Sequence, residues 1–214
     1  MSTTKLEVSP ELMASVKAYV QEYMSHYDAS HDFNHILRVV SLARRIQPTV
    51  PNTSLSLVTL CALLHDVGDK KYLQPGQDSS TLIRDTLLSL SASPQLAVTA
   101  QTICLGVSYS SEVKDPERVK SLVNEFPELS IVQDADRLDA IGAVGVGRCF
   151  AFGASKGRDL EDSIAHFEEK LIRLEGMMKT KEGKRLAKER TERVQLMMDW
   201  WTEETRDMVS ADDF

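Results

Sequence analysis

Apolar residues recur at helical spacing along almost the whole chain, and no stretch alternates for long enough to read as a strand. That leaves the packing of helix on helix as the way to bury a core. Ser9-Pro10-Glu11 predicts a helix start with proline in its first turn, and Leu12, Val16, Tyr19, Val20 and Tyr23 continue it. Ile36, Leu37, Val40 and Ala43 mark a second helix that ends at Gln47-Pro48. Asn52-Thr53-Ser54 offers caps for a third over residues 55–67. Asp78-Ser79-Ser80 caps a helix running through Leu90, residues 91–94 break it, and residues 96–107 resume. Asp115-Pro116-Glu117 starts another segment, and Pro127 separates it from a long apolar helix over residues 130–152. Residues 153–163 read as an exposed loop, followed by two charged amphipathic helices over residues 163–178 and 181–207. The expectation is an all-α bundle of about eight or nine helices.

Composition sets the class of partner. Hydrophobic residues make up 42% of the 214 and charged residues 27%, a globular balance. A net charge of −7 argues against a broad nucleic-acid-binding face and leaves room for a local basic pocket that takes a small anion. Cys61, Cys104 and Cys149 are odd in number and far apart, so neither a disulfide framework nor a zinc ribbon is supported, and buried free thiols in a reducing compartment are expected. The first ten residues lack the apolar core of a signal peptide. The longest clearly apolar stretch, residues 57–64, falls far short of the ~20 needed to span a bilayer. These features predict a cytoplasmic protein, with the nucleus as the other compartment, and no membrane or nucleic-acid partner.

Chemistry concentrates in three places. HDFNH sets His31 and His35 one helical turn apart. His65-Asp66 closes an apolar run, where charge is costly unless paired or metal-bound. Asp134, Asp136 and Asp139 head the most apolar helix, and of these Asp134 suits a helix-dipole role best. Two imidazoles with two carboxylates and no thiolate suit Mn²⁺, Fe²⁺, Co²⁺ or Ni²⁺, with Zn²⁺ as a further choice, and leave two octahedral positions for water and substrate. Gly142, Gly145 and Gly147 give only a superficial phosphate-loop spacing, since no strand precedes them. Seven basic residues lie between Lys179 and Arg193, interleaved with glutamates; they read as a solvated helix face, from which Lys179, Lys181, Lys184 and Arg185 could reach a polyphosphate tail. Met177, Met178, Met197, Met198, Trp200 and Trp201 suggest core or subunit contact, and with it a homodimer.

HDFNHILRVV, LLHDVGDKK, VQDADRLDAIGAVGVGR and HFEEKLIRLEGMMKTKEGKRLAKER, taken in order, resemble the HD-domain superfamily of metal-dependent phosphohydrolases. Together they resemble its small bacterial-type members, which also occur in fungi and include nucleotide pyrophosphohydrolases. The resemblance implies one HD domain over residues 1–214, with its core over residues 19–200 and short tails. It implies His35, His65, Asp66 and Asp136 as ligands of one divalent ion, manganese first, with cobalt, nickel, iron, magnesium and zinc behind it. Asp69 matches an acid proposed as catalytic in related nucleotidases. Lys70 and Lys71 follow it and would bind phosphate. His31 would bind phosphate or brace Asp32 and His35, and Arg38 would contact phosphate or pair with an aspartate. Arg137 and Asp139 would pair structurally, and His166 and His26 would stand outside the ligand set. The implied reaction is cleavage of a nucleoside triphosphate to monophosphate and pyrophosphate by a metal-activated water. A 5′-nucleotidase of the same fold is the near alternative. An HD-domain metal oxygenase or a nucleotide-binding regulatory protein is the alternative of another class.

Overall fold

The computed structural model describes residues 6–69, 73 and 75–209. Among them the regular structure is entirely helical, with eleven α-helices. These are α1 (Pro10–Tyr23), α2 (Phe33–Ile46), α3 (Leu55–Leu64), α4 (Leu82–Ser89), α5 (Pro94–Leu105), α6 (Tyr109–Lys114), α7 (Pro116–Glu125), α8 (Glu128–Asp139), α9 (Gly142–Ser155), α10 (Leu160–His166) and α11 (Lys181–Thr205). Most begin with one device. A Ser, Thr or Asp oxygen accepts the backbone N–H three residues on, as in Ser9 to Leu12, Asp32 to His35, Ser54 to Leu57 and Thr180 to Gly183. No single helix among the described residues is long and apolar enough to cross a membrane.

α3 sits at the centre. Only Ser56 and Thr59 in it are polar, and Leu57, Val58, Leu60, Cys61, Ala62, Leu63 and Leu64 are all buried. α2 packs on both α3 and α8, and α11 packs on α8 and α9. Cys61 and Cys104 are buried free thiols, and Cys149 is half-buried. Met178 and Met198 are core residues, whereas Trp200 is exposed.

The helix count exceeds the expected eight or nine at particular places. The helix expected over residues 130–152 is two helices, α8 and α9, bent by 72°. The corner lies at residues 140–142, where Gly142 takes φ +75°, a conformation that a residue with a Cβ rarely adopts. A side chain at Gly145 would collide with the Ala140 carbonyl, so the corner closes on bare backbone. A short extra helix, α6, precedes α7. α9 extends through Ser155, into the segment expected as a loop. The helix expected over residues 163–178 stops at His166 and gives way to a π-turn over Phe167–Leu171 and a 3-10 stretch over Ile172–Met177.

Asp134 differs from its expected dipole role. It is buried in the middle of α8 and caps a different helix. Its carboxylate accepts from the backbone N–H groups of Lys179 (2.9 Å) and Thr180 (2.7 Å), and from the Thr180 hydroxyl (2.7 Å). Those donors lie where α11 begins, so one buried acid fixes the C-terminal helix to the core. Burial still pushes the Asp134 carboxyl up, against the pull of these bonds. Lys179 is turned inward as well. Its ammonium bonds Glu112 at 2.8 Å, and Glu112 also receives Arg137 at 2.6 Å.

Asp134→Ala strands three buried donors and should destabilise the fold by roughly 2–4 kcal/mol. Urea unfolding should show a lower midpoint with little change in the slope, and Asp134→Asn should fall between the two.

Candidate metal centre

Three helices bring their chemistry to one point. Asp32 caps α2 by accepting the His35 N–H at 3.0 Å, which fixes the first turn and turns the His35 side chain inward. His65 caps the C-terminus of α3, with Asp66 immediately after it. Asp136 lies in the last turns of α8. His35 Nε2 stands 3.2 Å from His65 Nε2, 3.2 Å from Asp66 Oδ2 and 3.6 Å from Asp136 Oδ1. His65 Nε2 stands 3.5 Å from Asp66 Oδ1 and 3.6 Å from Asp136 Oδ1.

The imidazole tautomers follow from the groups behind them. His65 Nδ1 meets the Ala62 carbonyl at 2.8 Å, and a carbonyl only accepts, so Nδ1 carries hydrogen. His35 Nδ1 meets the Asp139 carboxylate at 2.8 Å and donates in the same way. In the neutral rings both Nε2 atoms therefore present lone pairs, at each other and at two carboxylates. Asp66 Oδ2 is buried without a hydrogen-bond partner. Two imidazole lone pairs and two carboxylates aimed at one point fit a divalent cation. The ligand atoms of His35, His65 and Asp66 lie within 4.8 Å of one another. The imidazoles are 1% exposed, whereas Asp66 and Asp136 are 17% and 26% exposed, so the centre opens on its carboxylate side.

The charges show the same demand. Burial alone would lower the His65 pKa, but Asp66 and Asp136 hold it up at about 10. Burial opposes ionisation of Asp136, yet His65 beside it holds that carboxyl at about 2. Asp66 is held well below the usual carboxylate range by His65 and His35, again against burial. Without metal, a proton on His65 supplies the missing positive charge.

Asp139 is the functional residue that the sequence reading placed elsewhere. It does not pair with Arg137, whose partners are Glu112 and the Met177 carbonyl. Asp139 is 1% exposed and holds the back of His35. It also accepts from Arg38 Nε at 2.8 Å, Arg38 Nη2 at 3.1 Å and Arg148 Nη1 at 3.2 Å. Burial pushes its carboxyl up, and these donors more than reverse that. The available signal was its place in DADRLDA, one turn after Asp136.

The other expected residues fall nearby. His31 bonds Ser30 Oγ through Nδ1 at 2.6 Å; its ring stands edge-on to His35 with centroids 6.1 Å apart, and 5.6 Å from Phe152. Asp69 is half-buried in the turn after the His-Asp doublet, its N–H on the Asp66 carbonyl at 3.2 Å. Arg38 forms the ion pair with Asp139 just described. His166 stands 3.7 Å from Glu169 at the end of α10, and His26 is exposed after α1. Lys70 and Lys71 lie outside the described residues.

With this geometry in hand, the HD domain family profile matches residues 32–141, a span that contains all four expected ligands. The chain belongs to the HD domain family. Bacillus subtilis YpgQ is 35% identical over 162 residues, 74% of this chain and 76% of that protein. The crystal structure of YpgQ in complex with ADP is similar over 92% of this chain and 97% of that one, at 32% identity and a TM-score of 0.71. A Lactobacillus plantarum structure matches at 27% identity and a TM-score of 0.79, over 92% and 98% of the two chains. An HD-superfamily hydrolase from Bacillus thuringiensis matches at 26% identity and a TM-score of 0.61, over 92% and 97%.

Metal binding displaces the His65 proton at any pH below about 10, so Mn²⁺ affinity should rise with pH, by about tenfold per unit near neutrality for each proton released. Calorimetry in two buffers of different ionisation enthalpy should count about one proton per ion. In the metal-free protein the raised His65 pKa contributes stability below its ordinary 6.5, and that contribution is lost as pH rises through about 10. Asp139→Asn replaces a pure acceptor with an amide that can donate to His35 Nδ1 and move the ring hydrogen to Nε2. Equilibrium dialysis should show metal affinity weakened by about 10–100-fold.

Proposed function

We propose that this protein hydrolyses nucleoside triphosphates to monophosphate and pyrophosphate. The observation that carries the reading is the convergence of two imidazole lone pairs and two carboxylates at a point open to solvent on its acidic side. The nucleotide class draws support from the relative YpgQ, whose crystal structure holds ADP. The hydrolytic class draws support from family membership and from the Bacillus thuringiensis hydrolase.

His35, His65, Asp66 and Asp136 would hold the ion, which we take to be Mn²⁺. When bound, such an ion acidifies water and draws charge from a phosphoryl oxygen. The remaining work falls to the chain. Water forms a bond to the α-phosphorus as the bond to the pyrophosphate oxygen breaks, and the water's proton passes to Asp69. Asp69, in the turn just after Asp66, would return that proton to the departing pyrophosphate. Lys70 and Lys71 follow it in the sequence and would offset the charge of the phosphates. His31, held by Ser30 beside His35, would contact the substrate phosphates. Asp139 and Arg38 position His35 from behind.

Protein stripped of metal and reloaded with Mn²⁺ should release pyrophosphate from nucleoside triphosphates. Orthophosphate from monophosphates would move the assignment to a nucleotidase. Asp69→Asn should keep its metal and lose about 10²–10⁴-fold in turnover. His65→Ala should lose both metal and activity. Normal turnover by Asp69→Asn removes the role given to that acid.

A further inference from the structure

A cleft of about 680 Å³ opens between α2, α9 and α11, on the Asp139 side of His35 and away from its Nε2. That is within the size of small-molecule sites, about 300–1,000 Å³. Three arginines line it: Arg38 and Arg45, two turns apart on one face of α2, and Arg190 from α11. Asn34 and Ser41 lie on the same face of α2. For a chain of net charge −7, this is a concentrated basic lining.

The arginines differ in how firmly they are held. Arg45 reaches Glu182 at 3.1 Å, but its side chain is 56% exposed, so solvent screens that pair. Arg190 spends Nη1 on the Leu138 carbonyl and forms no ion pair among the described residues. Burial, together with the like charges of Arg193 and Arg45, lowers the Arg190 pKa, with Asp139 opposing. The two acids in the lining are already engaged. Asp32 caps α2 and accepts from Asn34, and buried Asp139 is covered by His35, Arg38 and Arg148. What the cleft offers a ligand is guanidinium, whose planar fork of donors suits an oxyanion.

We infer that this cleft is a second, non-catalytic binding site for a small phosphate-bearing anion, coupled to the metal centre through Arg38 and Asp139. An oxyanion that takes hydrogen bonds from Arg38 competes with Asp139 for the same donors. Asp139 in turn fixes the His35 ring whose Nε2 faces the metal. Binding at either place therefore changes affinity at the other by the same factor. The site does not depend on which substrate the metal centre acts on.

Equilibrium dialysis of the full chain against labelled inorganic phosphate, with and without Mn²⁺, tests it. One saturable phosphate site should persist without metal. It should weaken by about tenfold or more in the Arg45→Gln/Arg190→Gln double variant. Ser41→Glu should weaken it similarly. Ser41 is exposed, so that substitution adds a carboxylate to the cleft without disturbing the core and keeps the test informative if the double variant misfolds. Saturating phosphate should shift Mn²⁺ affinity severalfold in the parent and not in either variant. Phosphate binding only in the presence of metal and indifferent to these substitutions would place the anion on the ion and overturn the proposal, as would the absence of a saturable site. Binding without any shift in Mn²⁺ affinity would overturn the coupling.

Discussion

His35 and His65 each spend their Nδ1 hydrogen on the protein, so their Nε2 atoms meet at 3.2 Å as two acceptors, with two carboxylates beside them. Such an arrangement repels itself unless positive charge sits at its centre, and in a buried site little solvent is present to screen it. The fold holds it in place through α2, α3 and α8, which pack on one another through buried apolar residues. Stability from the core is thereby used to hold a polar arrangement that would disperse in water. The proton that the acids retain on His65, against burial, is the metal-free form of the same requirement.

α8 carries most of the wiring. Within one helix Asp134 anchors the start of α11, Arg137 joins Glu112 and the chain at Met177, Asp136 stands beside the His35 and His65 imidazoles and Asp139 holds the back of His35. Each of these buried charges has an opposite charge or several donors, which is the condition for tolerating it. The arrangement also ties the ligands to the C-terminal part of the chain, because α11 and the segment before it are held by residues interleaved with the site.

The helical class and most helix starts were legible from local chemistry, because a capping oxygen and a first-turn proline act within four residues. The four candidate ligands were legible through the motifs that carry the family likeness, and the structure brings them together. What escaped required contacts distant in sequence. Asp134 looked like a dipole charge because nothing local shows that its donors lie 45 residues on. Asp139 looked like the partner of Arg137, although its partners come from α2 and α9. The corner between α8 and α9 was hidden because Ala, Ile, Gly and Val continue a helical apolar pattern; only the positive φ of Gly142 breaks it. Lys179 looked solvated because Glu112, its partner, lies 67 positions away.

That corner belongs to the site as much as any ligand does. Arg148 lies nine residues after Asp139, and in a straight helix it would stand about 13 Å further along the axis, beyond the reach of its side chain. The 72° bend brings Arg148 back to within 3.2 Å of Asp139, and its Nε to the Ser30 carbonyl at 2.6 Å. The same bend lays Phe152 against His31. Gly142 supplies the backbone conformation, and Gly145 supplies the bare surface on which the Ala140 carbonyl rests. Two glycines that belong to none of the four converging side chains therefore bear on whether Asp139 is fully neutralised, and with it on how firmly the back of His35 is held.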